Sequence, residues 1–147
     1  MQAIYLYVLA IGAGVSVATQ QVFNGGLRMS LGSPAWAGFF SYLGGLLTMI
    51  VVLFALGEQL PSWKAIASTP WWAWSGGVLG GVFILMMILL LPSLGAATLI
   101  ALVVAGQMLL TITLDHFGVF GLTPHPVSLS RLIGAALLIA GVVLIRD

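Results

Sequence analysis

The sequence predicts an all-α, polytopic membrane protein, a bundle of about five transmembrane helices. Hydrophobic residues make up 61% of the chain and charged residues only 5%, and the mean hydropathy is +1.22. Four Lys/Arg and three Asp/Glu residues are too few to cover the surface of a soluble domain of 147 residues. The apolar residues also fall into five runs, each close to the roughly 20 residues that a helix needs to cross a bilayer.

Turn and capping residues indicate where the first two spans begin and end. The first span is predicted from residue 3 to about residue 22, ending before Asn24-Gly25-Gly26, because glycine adopts turn geometry that other residues resist. The second is predicted over residues 34–56. Its start is indicated by Ser33 as the N-cap and by Pro34 in the first turn, where a missing N–H costs nothing.

Residues 71–114 are too long to form one crossing. As a single helix they would measure roughly 66 Å at 1.5 Å per residue, about twice the thickness of the hydrocarbon core. We expect the chain to turn at Leu91-Pro92-Ser93, because Pro92 disrupts a helix and Ser93 can cap the next one. This gives a third span over 71–90 and a fourth over 94–114. A fifth over 129–145 completes a single transmembrane domain, residues 1–147.

The distribution of basic residues does not indicate which way the chain is oriented in the membrane. With five crossings, Lys64 and Arg131 lie on the side of the N-terminus, whereas Arg28 and Arg146 lie on the other side. Membrane proteins normally place an excess of Lys and Arg in cytoplasmic loops. The two-and-two division favours a chain that inserts both ways and pairs with an inverted copy of itself. The alternative is that four charges are too few to indicate an orientation.

Two polar stripes interrupt the apolar spans. Ser16, Gln20 and Asn24 recur every four residues in the first span, and Gln107 and Thr111 have the same spacing in the fourth. This spacing places each set on one helix face. Because an unpaired amide facing lipid is costly, we expect both stripes to face the bundle interior or an aqueous cavity. Two interpretations remain open: contact with a substrate, or hydrogen bonds between helices worth about 0.6–2 kcal/mol each.

Other residues are candidates for walls, gates and packing. Trp36, Phe40 and Tyr42 are predicted to add apolar or stacking walls to a substrate site. Arg28, Asp115 and His116 lie at the ends of spans and are candidates for coupling or gating, since histidine titrates near physiological pH. The alternative for Asp115 and His116 is an interfacial charge beside a loop histidine. Small residues predicted to allow close helix packing or dimer contacts are Gly76, Gly77, Gly80, Gly81, Gly134 and Gly141.

Residue types that the sequence lacks argue against several classes of function. There is no cysteine, and His116 and His125 alone do not make a persuasive metal site, so we expect no metal and no cofactor. No nucleophile has a base at a plausible spacing, which argues against an enzyme. The net charge of +1 argues against a nucleic-acid partner. No carboxylate lies in the middle of a span, which argues against simple proton antiport through a central acid.

Three segments resemble a known family. The first segment runs from Gln20-Gln21 to Pro34. The second runs from Ala105-Gly106-Gln107 to Gly118, and the third from His125-Pro126 to Val142. They are similar to the YdcZ-like inner-membrane exporters, a five-helix branch of the drug/metabolite transporter superfamily. The resemblance implies a multi-pass protein of the bacterial inner membrane. It also implies one repeat of a transporter, completed by an inverted copy or an inverted paralogue.

The resemblance also limits the mechanism. The small multidrug resistance proteins of the same superfamily carry a membrane-embedded Glu in their first helix, where this chain has Gln20 and Gln21. Their proton coupling is therefore not carried over. The sequence predicts a secondary transporter or exporter of a small neutral or amphipathic metabolite or drug, acting by alternating access. The alternative is a passive dual-topology ion channel whose amides coordinate a partly dehydrated ion.

Overall fold

The computed structural model describes residues 2–145, and the side chains of residues 4–145. Arg146, one of the four basic residues compared above, lies outside the described residues. This part of the chain is helical apart from its connections, with two short 3₁₀ turns at Trp71–Ser75 and Val119–Gly121. Its α-helices are α1 (Gln2–Leu31), α2 (Pro34–Leu56), α3 (Trp63–Ser68), α4 (Gly76–Leu94), α5 (Ala96–Phe117) and α6 (Leu129–Ile145).

Within the described residues, four helical segments are long and apolar enough to cross a membrane. They are Ile4–Leu31, Pro34–Leu56, Trp71–Leu94 and Ala96–Phe117. The apolar helix α6 has 17 residues, or about 26 Å at 1.5 Å per residue, which is short of the roughly 30 Å hydrocarbon core. The structure thus gives four candidate spans and one shorter apolar helix where the sequence predicts five spans.

The first helix is longer than the sequence predicts. The expected turn at Asn24-Gly25-Gly26 is wrong, because α1 continues through these residues and ends at Leu31, followed by Gly32 with φ +64°. Packing explains the continuation. A Cβ built on Gly25 would lie only 2.6 Å from Leu91 Cδ2, so this glycine serves close helix contact instead of a turn.

The second helix has the predicted bounds and caps. The side chain of Ser33 accepts a hydrogen bond from the Trp36 N–H at 3.3 Å, and Pro34 occupies the first turn. Gly57 ends the helix in the left-handed conformation, with φ +64°. The short helix α3 is a feature that the sequence reasoning missed, although Ser62 caps its first turn by accepting from the Ala65 N–H at 3.2 Å.

The turn between the third and fourth spans lies further along the chain than predicted. Helix α4 continues through Pro92 to Leu94, and α5 begins at Ala96 after Gly95, whose φ is +72°. Ser93 therefore does not cap α5, and the turn depends on a glycine that adopts a positive φ without strain. Helix α5 also ends later than expected, at Phe117, before Gly118 in the left-handed conformation. Helix α6 has the bounds that the sequence predicts.

Packing divides the chain into two compact units, one ending at Pro92 and the other beginning at Ser93. In the first unit, Ala37 of α2 packs with Ile84 and Ile88 of α4, and Leu27 and Phe83 cover this small core. The start of α2 therefore lies against the middle of α4. The second unit contains α5 and α6, which are antiparallel because the end of α5 pairs with the start of α6 through Asp115 and Arg131.

Candidate functional site

A cavity lined by several polar residues lies between α1 and α2, and we call it the α1–α2 cavity. Its volume is about 420 Å³, within the roughly 300–1,000 Å³ typical of small-molecule sites. The four-residue spacing of the first stripe brings its side chains to this one place, together with a serine from α2. The lining residues are Ser16, Thr19, Gln20, Phe23, Asn24 and Ser41.

The polar groups of the α1–α2 cavity are uncharged and incompletely bonded. Gln20 Nε2 donates a long hydrogen bond of 3.4 Å to Ser41 Oγ, and Thr19 Oγ1 donates to the Val15 carbonyl at 2.9 Å. Asn24 is only 2% exposed, and its Nδ2 has no hydrogen-bond partner among the described residues. A buried amide without a partner costs about 1–3 kcal/mol, so a side-chain movement that brought this donor to a bound molecule would be favoured.

Gln21 is a second buried amide, and the sequence reasoning did not select it. It is 1% exposed, and neither Oε1 nor Nε2 has a hydrogen-bond partner within the described part of the chain. The adjacent Gln20 is exposed and lines the α1–α2 cavity. The four-residue periodicity favoured Gln20 alone, because it assigns neighbouring residues to different faces. The unusual pair of amides in an apolar span was the signal available in the sequence.

Arg28 contacts α4 at a position that Pro92 determines. Proline has no N–H, so Pro92 leaves the carbonyl of Ile88, four residues earlier, without its helical donor. Arg28 Nη1 supplies a donor, at 2.7 Å from the Ile88 oxygen and 3.3 Å from the Leu89 oxygen. Ile88 is fully buried, so a charged side chain satisfies a carbonyl that water does not reach. The predicted gating role of Arg28 stays a prediction.

The three predicted aromatic walls do not share one site. Trp36 and Phe40 belong to an exposed aromatic cluster with Phe39, in which neighbouring ring centroids lie 5.5–6.0 Å apart. Tyr42 instead lines a mainly apolar cavity of about 310 Å³ between α2 and α4. Its Oη lies so close to Gly80 that a Cβ on this glycine would overlap it.

A second cavity lies between α5 and α6, and we call it the α5–α6 cavity. Its volume is about 440 Å³. Thr111 of the second stripe lines it, whereas Gln107 is exposed and lies outside this lining. The full lining is Val104, Met108, Thr111, Ile112, Asp115, Arg131, Gly134, Ala135 and Leu138.

An ion pair lies at one end of the α5–α6 cavity. Arg131 Nη1 donates to Asp115 Oδ2 at 3.3 Å and to the His125 carbonyl at 3.4 Å. The loop is fixed to the same place, because the His125 N–H donates to the Asp115 carbonyl at 2.7 Å. His116 Nδ1 accepts from the Val127 N–H at 3.2 Å, so its ring proton lies on Nε2. Asp115 and His116 thus both hold the loop that joins α5 to α6.

The predicted packing glycines differ in their surroundings. Gly80 lies against Tyr42, and Gly81 lines the cavity between α2 and α4. A Cβ on each of the remaining four would meet no described atom within 4 Å, so their role in dimer contacts stays a prediction; they are Gly76, Gly77, Gly134 and Gly141. Within residues 4–145, no group of three or more His, Asp or Glu side chains is arranged to hold a metal ion.

Apolar helices with exposed apolar surfaces and buried amides define a polytopic helical membrane protein. Residues 5–144 match the family model described as "Putative inner membrane exporter, YdcZ", and the chain belongs to this family. It is 27% identical over 131 residues to a protein of Escherichia coli (strain K12) called "Inner membrane protein YdcZ", covering 89% of this chain and 87% of that protein. No solved structure matches the chain. The chain is thus an inner-membrane protein, as the sequence predicts.

Proposed function

We propose that the chain is a secondary transporter that exports a small neutral or amphipathic molecule and binds it in the α1–α2 cavity. The observation that supports this proposal is the unpartnered Nδ2 of Asn24, which is buried beside a cavity whose lining includes three hydroxyls and two amides. The lining has no charged side chain, which favours an uncharged group that accepts a hydrogen bond. Membership of an exporter family supports the direction of transport.

The proposed transporter contains two copies of the chain in opposite orientations, or one copy and an inverted paralogue. In this arrangement α6 is the fifth crossing, and rocking of one copy against the other opens the site to either side. Gln107 supports the pairing, because it lies near the centre of α5 and is exposed. An amide facing lipid at this depth is costly, so a second protein surface over this face of α5 would stabilise it.

The binding site is tested by efflux from proteoliposomes loaded with radiolabelled uncharged probes: erythritol, glucose and an N-acetylated amino-acid amide. Gln20→Ala and Ser41→Ala remove cavity groups that are not fully buried, so we expect the variants to fold and to lose saturable efflux. Thr48→Ala is the matched control, because this exposed hydroxyl donates to its own helix at Gly44. Equal efflux by all three variants and the native chain would exclude the α1–α2 cavity as the site.

The same vesicles separate a transporter from the passive ion channel. A transporter gives slow, saturable efflux with counter-transport of the probe, whereas a channel gives a high unitary ion flux and no counter-transport. The pairing is tested with reporters fused to the C-terminus. We expect signals from both sides of the membrane, and one clean orientation without an inverted paralogue would refute the inverted pair.

A further inference from the structure

The α5–α6 cavity has one charged end and one apolar end. The charged end contains Asp115 and Arg131, whose side chains are 25% and 37% exposed. The apolar end contains Val104, Met108 and Leu138. A volume of about 440 Å³ is enough for a small ligand, and this division of the lining fits a molecule with a polar head and an apolar tail.

The cavity has the depth of one leaflet of a bilayer. Asp115 lies in the last turn of α5 and Arg131 in the first turn of α6, so the ion pair lies at the helix ends, where a membrane meets water. Val104 lies eleven residues before Asp115, or about 17 Å along the helix axis at 1.5 Å per residue. This is about half of the roughly 30 Å hydrocarbon core. A head group bound at the ion pair would therefore place its alkyl chain along the apolar lining.

The charges at the cavity mouth select the head group. Among the described contacts, Arg131 uses only Nη1 toward Asp115 and His125, and Asp115 uses only Oδ2 toward Arg131. The guanidinium has further N–H donors, and the carboxylate has a second oxygen. A purely anionic head would be repelled by Asp115, and a purely cationic one by Arg131. A zwitterion with both charges makes a charge-assisted hydrogen bond to each residue.

We propose that the α5–α6 cavity binds a zwitterionic amphiphile with a primary ammonium group at Asp115 and a phosphate at Arg131. Its alkyl chain lies along Val104, Met108 and Leu138. This chemistry has two sources: a phosphoethanolamine lipid that remains bound, or a single-chain zwitterionic amphiphile that the protein moves. The proposal does not depend on the α1–α2 cavity.

A glycine in the cavity wall offers a direct perturbation. Gly134 lines the cavity, and a Cβ at this position meets no described atom within 4 Å, so we expect the side chain of Gly134→Leu to enter the cavity and occupy part of it. Gly141→Leu is the matched control. Gly141 lies two turns further along α6 on the same face and is equally unobstructed, but it is not part of the lining. Loss of a packing contact between copies would affect both variants, whereas filling of the cavity affects only the first.

Native mass spectrometry of the purified chain, titrated with phosphatidylethanolamine or phosphatidylglycerol, measures the preference. We expect the native chain to bind the zwitterionic lipid at least about tenfold more tightly, the size of one charge-assisted hydrogen bond. Gly134→Leu should lose this binding and Gly141→Leu should keep it. Equal affinity for the two lipids, or an equal effect of the two leucine substitutions, would overturn the proposal.

A second variant tests the charges separately from the shape. Asp115→Asn combined with Arg131→Gln removes both charges and leaves no isolated ion, and it should abolish the preference for the zwitterionic lipid. A preference that survives this double substitution would show that the ion pair does not select the ligand. The two sources are then distinguished with fluorescent lysophosphatidylethanolamine in proteoliposomes. Movement between leaflets that Gly134→Leu blocks identifies a transported amphiphile, and retention of phosphatidylethanolamine without movement identifies a bound membrane lipid.

Discussion

The contact between Arg28 and the Ile88 carbonyl predicts a specific coupling with Pro92. In the native chain, Pro92 deprives this carbonyl of a backbone donor, and Arg28 Nη1 donates to it at 2.7 Å. Arg28→Met keeps a long side chain but removes the charge and the donor. Hydrogen bonds to charged groups contribute about 1.5–3 kcal/mol, so we expect Arg28→Met to lower the free energy of unfolding by about 2 kcal/mol.

The coupling appears when Pro92 is also replaced. In Pro92→Ala the N–H of residue 92 can donate to the Ile88 carbonyl, and the helix no longer needs Arg28 at this position. We therefore expect Arg28→Met to cost at least about 1 kcal/mol less in the Pro92→Ala background than in the native chain. Free energies of unfolding are measured by denaturant titration in detergent micelles, with helicity followed by circular dichroism.

A matched control removes a different arginine. Arg131→Met also deletes a guanidinium that makes an ion pair, but its partner is Asp115 on α5 and no proline is involved. Substitutions that share no partner usually have additive effects to within about 0.5 kcal/mol, so the coupling energy between Arg131→Met and Pro92→Ala should be below about 0.5 kcal/mol. The reasoning is refuted if the coupling between positions 28 and 92 is also below that value.

Three further substitutions test packing and burial by the same unfolding titrations. Gly80→Ala should destabilise the chain by about 1–3 kcal/mol, because the added Cβ would overlap Tyr42 Oη. Adding Tyr42→Phe removes this oxygen and should restore most of the lost stability. If it restores none, the contact is not the cause. Gly118→Ala should lower the free energy of unfolding by at least about 1 kcal/mol, because φ is +59° and the Cβ would lie 2.5 Å from Pro124 Cγ. Gly121→Ala is the control: this residue also has a positive φ but has open space around it, so the loss should be smaller. Gln21→Leu should stabilise the chain by about 1–3 kcal/mol, since both amide atoms are buried without partners among the described residues; destabilisation would indicate that a bound molecule or water satisfies them.

Local signals in the sequence predicted some helix ends and not others. The combination of Ser33, Pro34 and Gly57 acts within one turn of the chain, and it bounds α2 as predicted. Gly25 and Pro92 have equally strong local preferences, yet both lie inside helices. Each is tolerated inside a helix because of a residue distant in sequence: Leu91 packs against Gly25, and Arg28 donates to the carbonyl that Pro92 leaves free. No local sequence pattern contains this information.

The candidate sites were predictable to a similar degree. The four-residue period placed Ser16, Gln20 and Asn24 on one face, and these residues line a single cavity. The period did not indicate Ser41, because the contribution of α2 depends on the register between the two helices. Gln107 has the same type of spacing with Thr111 but lies outside the cavity that Thr111 lines. Position on a helix face thus follows from sequence, whereas the choice of facing residues requires the packed structure.

The unequal lengths of α1 and α6 have a consequence for the surrounding lipid. The candidate span in α1 has 28 residues, or about 42 Å, whereas α6 measures about 26 Å, so one bilayer thickness cannot match both full lengths when the helices cross it upright. Tilting relieves the mismatch at α1, whereas a short helix is accommodated by local thinning of the bilayer, by snorkelling of flanking residues or by association with other helices. If α6 crosses the membrane as the fifth span of the proposed transporter, thinning around it would favour short-chain lipids, and in the proposed pair of copies one shared thinned region would cost less free energy than two separate ones.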